Sequence, residues 1–92
     1  MPDTIRSIRA RARKILLAAG MEYATSEPSR IRGMRNWSRG VTIDEDRTAL
    51  AWVTARYDLT EAREQDLARA VAALRAAGWT VEDNGRVNAV AP

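Results

Sequence analysis

The chain changes period at Gly78, and that switch constrains its fold more than any other feature. Before the glycine, Leu67, Ala70, Val71, Leu74 and Ala77 recur at spacings of three and four, which puts them on one face of a helix predicted over residues 59–77. After it, "WTVEDNGRVNAV" (residues 79–90) alternates around Asn84-Gly85, a strong short-range signal for a β-hairpin. A helix that runs straight into a hairpin is most simply accommodated by packing the apolar helix face on the apolar hairpin face.

The hairpin's register follows from the same text. A two-residue turn would pair Asp83 with Arg86 and set Val81 beside Asn88, mixing polar and apolar faces. A turn with Gly85 as a left-handed bulge pairs Glu82 with Arg86 instead. Trp79, Val81, Val87 and Ala89 then share one face, and Thr80, Glu82, Arg86 and Asn88 share the other. A one-residue slip exchanges the faces of a strand, so the cleaner separation predicts the bulged turn.

A first helix is expected over residues 4–19. Ile5, Ile8, Ala12, Ile15, Leu16 and Ala19 form its apolar stripe, Asp3 or Thr4 is placed to cap it, and Gly20 suits its left-handed end. Arg6, Arg9 and Arg13 make a second stripe alongside, read either as a solvated flank or as a surface for an anionic partner. For the second helix, Asp58 and Glu61 have capping-box spacing, with Thr60 as a competing cap.

Between the helices, Val41 and Ile43 alternate with Thr42 and lead into "DEDR", a polar turn. "TALAWVTARY" then sets Ala49, Ala51, Val53, Ala55 and Tyr57 on one face and Leu50, Trp52 and Thr54 on the other, as in a central strand or one whose outer face meets a partner. "SEPSR" at 26–30 reads as a turn or loop. "LLAAGMEYA" at 16–24 echoes "LRAAGWTVE" at 74–82, which leaves a short strand at residues 21–25 open. The expected fold is α+β, two helices on one face of a small antiparallel sheet built from two hairpins, in the order α-β-β-α-β-β.

Composition narrows the chemistry. Ninety-two residues make one domain with a modest core. The chain has neither cysteine nor histidine, so thiolate chemistry, disulfides and the usual neutral-pH base are absent. Asp44, Glu45 and Asp46 are consecutive and lack the spacing of a calcium loop, which reads as a solvated turn. No catalytic motif, cofactor or metal site is expected. "NWS" at 36–38 matches a glycosylation sequon without a secretion signal beside it. No stretch reaches membrane-span length, and the expected location is cytoplasmic.

Fourteen of the fifteen basic residues are arginine, a usage that GC-rich coding writes, as in actinobacteria and their phages. The charge is uneven. Residues 1–40 carry nine basic against three acidic side chains, a net of +6, and residues 41–92 carry six against nine, a net of −3. "SRIRGMRNWSRG" at 29–40 holds four arginines and a tryptophan. If a strand runs unbroken from residue 35, Arg35, Trp37 and Arg39 share the face of Val41 and Ile43. Arginine and tryptophan are enriched in protein-binding hot spots, and they also suit single-stranded nucleic acid. Arg9, Arg13, Arg32, Arg35, Trp37 and Arg39 are therefore the candidate partner-binding residues. The expected function is a small non-enzymatic module that binds another protein, as a regulator or inhibitor of a larger host or cellular protein. The alternative is nucleic-acid binding through the basic first helix and the Arg/Trp loop. An exposed sheet edge would also let the chain associate with itself.

Overall fold

The computed structural model describes residues 4–45, 49–56 and 60–91. Asp3, Asp46, Tyr57, Asp58 and the side chain of Thr60 lie outside the description, so the parts of the expected caps, acidic turn and strand face that rest on them do too. The elements run α1 (Ile5–Ala18), β1 (Ser26–Pro28), β2 (Arg35–Trp37), β3 (Gly40–Asp44), β4 (Ala51–Arg56), α2 (Thr60–Ala76), β5 (Thr80–Val81) and β6 (Arg86–Ala89). The class is mixed α+β. The order differs from the expected one by an additional hairpin, β1–β2, where the sequence reads as a loop.

Helix α1 begins as its sequence dictates: Thr4 accepts a hydrogen bond from the Ser7 amide through its side-chain oxygen at 3.2 Å. Both helices end alike. Gly20 has φ +80, its amide reaches the Leu17 carbonyl, and the Met21 amide reaches Leu16 at 3.0 Å. Gly78 has φ +93, its amide reaches Arg75, and the Trp79 amide reaches Leu74 at 3.1 Å. Each is a Schellman ending, with its apolar pair, Leu16–Met21 or Leu74–Trp79, buried. The echo between residues 16–24 and 74–82 is thus a repeated helix stop. After the first, Tyr23 forms a single parallel bridge with Val41.

The main sheet is antiparallel with strand order β3-β4-β6-β5. Strand β4 lies in its interior and alternates cleanly, Ala51, Val53 and Ala55 being buried and Trp52, Thr54 and Arg56 half-buried. The buried set joins Val41, Ile43, Trp79, Val81 and Val87 in one core with Ile8, Ala12 and Leu16 of α1 and Ala70, Val71 and Leu74 of α2. Ile15 and Leu67 are partly buried against this cluster. The other sheet face is mostly polar, with Trp52 among its side chains.

The last hairpin turns on Gly85, which has φ +96, with the Glu82 amide bonded to the Arg86 carbonyl at 2.8 Å. Trp79, Val81 and Val87 share the buried face, but Ala89 does not. Val81 pairs with Val87 and Thr80 with Ala89, so one extra residue, Asn88, enters β6 and turns Ala89 outward.

The outer strand β3 is closed by the chain itself, and β5 is bonded at one carbonyl. Along β3, the Val41 amide donates to Glu22 O and Val41 O accepts from the Ala24 amide, at 3.0 and 2.9 Å. The Ile43 amide donates to the Tyr23 hydroxyl at 3.1 Å, and Ile43 O accepts from Arg9 Nε at 2.9 Å. Gly40 lets residues 22–24 come this close, since a Cβ there would lie 2.8 Å from both Ala24 N and Glu22 O. On the opposite edge, Arg75 Nε donates to Val81 O at 2.8 Å. The edge expected to be free for self-association therefore has these groups already bonded.

Two stability measurements check this packing. Leu74→Ala, at a fully buried position, should lose roughly 2–5 kcal/mol in urea unfolding; a loss no larger than that of an exposed alanine substitution would mean that α2 does not face the sheet as described. Gly20 and Gly85 both hold positive φ, but a Cβ at Gly20 meets nothing within 4 Å, whereas one at Gly85 runs into the Val53 carbonyl. Gly20→Ala should therefore cost about 1 kcal/mol and Gly85→Ala distinctly more, about 2–4 kcal/mol. Equal losses would contradict the close approach at Gly85.

Candidate functional site

The additional hairpin carries the residues that face outward. Its register pairs Ser26 with Trp37, Glu27 with Asn36 and Pro28 with Arg35. At its base the Ser38 amide donates to Thr25 O and the Thr25 amide donates to Ser38 Oγ, both at 2.8 Å. At its tip the Met34 amide donates to Ile31 O at 3.1 Å across a tight turn whose third residue, Gly33, has φ +82, as a type II turn requires. The Ser29 amide donates to Met34 O, and Ser29 Oγ accepts from the Ile31 amide. The tip is thus bonded within itself.

Ile31 and Met34 are the first and fourth residues of this turn, with their backbones joined by its hydrogen bond. They are 64% and 58% exposed, the two most exposed large apolar side chains described. Arg30 and Arg32 flank Ile31 in the chain, and both are exposed. Arg35 lies along the hairpin, its Nε donating to Ser26 Oγ at 2.8 Å. Two aliphatic side chains held in water inside a basic collar form a surface suited to burial against something else.

Trp37 fixes this hairpin to the body. Its ring lies 4.0 Å from the Arg56 guanidinium carbon. Arg56 Nη2 in turn reaches both oxygens of Asp44, at 3.2 and 3.0 Å, and the Thr42 hydroxyl also meets Asp44. Arg56, Thr42 and Asp44 all belong to the polar sheet face, opposite Val41 and Ile43. The expectation that Trp37 shares the face of Val41 and Ile43 is therefore corrected. Strand β2 ends at Trp37 and β3 starts only at Gly40, and the bend between them carries the indole to the other side.

The structure separates the six candidate residues. Arg32, Arg35 and Trp37 stand on the hairpin. Arg9 is turned to the β3 edge, and Arg13 lies over the Tyr23 ring at 6.0 Å. Arg39 lines a depression of about 370 Å³ with Gly20, Met21, Glu22, Asp66 and Arg69, between the helices. Ile31, Met34 and Arg56 lie outside the residues that the sequence singles out, and Arg30 enters there only as one of the four arginines of residues 29–40. "IRGM" carried a usable signal, a glycine at the third place of a four-residue turn with an apolar residue at each end.

Among the described residues no group of three or more acidic side chains is placed to hold a metal ion, and no helix is long and apolar enough to cross a membrane. Asp44 is engaged by Arg56. No family model, curated protein or solved structure matches the chain.

The Trp37–Arg56 contact can be measured without a partner. A double-mutant cycle on Trp37→Ala and Arg56→Met, read by urea unfolding, should give a coupling of about 0.5–1 kcal/mol. Additive losses would show that the indole and the guanidinium do not interact.

Proposed function

We propose that this chain is a non-enzymatic protein-binding module that offers the hairpin of residues 26–37 to a larger protein, as a regulator or inhibitor of it. The observation that supports this reading most is the tip: Ile31 and Met34 are exposed together on a turn that is already hydrogen-bonded in the free chain. A prearranged docking element loses less conformational entropy on binding. Arginine and tryptophan beside an apolar centre match the residue types that dominate binding energy in protein interfaces.

Nucleic acid is the weaker reading because two arginines of the basic first helix have other duties. Arg9 and Arg13 contact the β3 edge and Tyr23, and the aromatic on the hairpin, Trp37, already stacks on Arg56. Aliphatic side chains at a tip offer little to a single strand, whose bases favour flat aromatic partners.

Capture from lysate of cells that express the chain, with and without nuclease, tests the proposal. Wild-type protein should retain a binding protein after nuclease treatment, and Ile31→Asp/Met34→Asp should lose it while keeping the parent's circular dichroism and melting temperature. Each apolar side chain is expected to contribute about 2 kcal/mol or more to the complex. Equal capture by parent and variant would remove the hairpin from the interface, and capture abolished by nuclease would favour the nucleic-acid reading.

A further inference from the structure

Resting on the reading of the hairpin as a protein-docking element, we propose that its partner presents an apolar pocket ringed by carboxylates, and that Ile31 and Met34 enter the pocket together while Arg30 and Arg32 pair with the ring.

Charge complementarity gives the sign. Residues 26–37 hold three arginines and a single acid, Glu27. Glu27 is paired with Asn36, so it lies on the hairpin face opposite Arg35 and Trp37. Arg35 is partly committed to Ser26, which leaves Arg30 and Arg32, one on either side of Ile31, as the forward cations. Guanidinium groups meet carboxylates with paired, directional hydrogen bonds, and these gain strength where water is excluded.

Shape and polarity give the pocket. The two aliphatic residues open and close one tight turn, bonded from the Met34 amide to Ile31 O with Gly33 at φ +82, and both side chains are exposed there. A narrow convex tip meets a concavity better than a flat surface, and its apolar centre calls for an apolar floor. A phosphate backbone would answer the arginines and leave both aliphatic side chains in water. An acidic surface with a dry centre answers both.

A random peptide library displayed on phage, selected on the wild-type protein and counter-selected on Ile31→Asp/Met34→Asp, reads the partner's chemistry directly. Recovered peptides should combine several Asp or Glu residues with an aliphatic or aromatic anchor. Their affinity should fall about tenfold from low to physiological salt, as charged interfaces do. Arg30→Glu/Arg32→Glu, which keeps the apolar tip, should lose these peptides and select basic ones. Hairpin-dependent peptides that are neutral or basic would overturn the acidic pocket while leaving the hairpin as the docking element. Peptides bound equally by parent and double-Asp variant would overturn both. Tight binding of a labelled oligonucleotide that needs Arg30 and Arg32, but not Ile31 and Met34, would replace the protein pocket with a phosphate partner.

Discussion

The outward-facing groups of β3 at Val41 and Ile43 would ordinarily be offered to another strand, and all four are bonded within the chain. Main-chain groups of residues 22–24 take those of Val41, the Tyr23 hydroxyl accepts from the Ile43 amide, and Arg9 Nε donates to its carbonyl. Val41 and Ile43 are buried, and backbone groups left unpaired away from water cost about as much as a lost hydrogen bond each. Other features follow from this closure. It requires α1 to run alongside β3 so that Arg9 can reach it. It requires a glycine at position 40, where a side chain would collide with residues 22–24. It also makes residues 25–39 leave the sheet and return to it at nearly the same point, and a chain that leaves and returns so is a projecting hairpin.

The same closure sorts the arginines. Arg9 and Arg75, one on each helix, each bond a carbonyl of an outer strand. Arg11 lies over Trp79 and Arg13 over Tyr23. Arg56 joins the hairpin to the sheet through Trp37 and Asp44. These side chains serve the fold, with their aliphatic stems against the body and their heads on specific acceptors or rings. Codon usage does not set where these heads point. Arg30 and Arg32 differ in standing beside exposed aliphatic side chains at a tip, and a surface that only needed solubility would not combine the two.

Local signals made much of the fold legible. Both helices, their glycine stops and the bulged turn at Gly85 come from residues close in sequence, where spacing and backbone preference decide. Ala89 turns outward because of the extra residue at Asn88, which the alternation of Val87, Asn88 and Ala89 does not reveal: asparagine is depleted in strands, but that alone does not locate a bulge. The hairpin at 26–37 was hidden for a different reason. Its strands are three residues long, include Pro28 and bury little, so there is no alternation to read. Trp37 lies on the opposite face from the one an unbroken strand would give it, because period-two alternation holds only while a strand is unbroken, and the break between Trp37 and Gly40 interrupts it. Arg56 and Asp44 meet diagonally across two strands, a contact that depends on a register fixed by distant packing. Of the candidate site, the Arg/Trp segment stands out in the sequence by residue type; the exposed aliphatic pair is marked there only by the glycine of "IRGM".

Amide hydrogen exchange on the native protein tests the closed edge most directly. The account predicts that the Val41 and Ile43 amides, although on an outer strand, exchange as slowly as that of Thr42, which belongs to the pairing with β4. Exchange of Val41 and Ile43 at the rate of unprotected amides, with Thr42 still protected, would contradict it: β3 would then be an open edge, and the hairpin would not be the surface left to meet a partner.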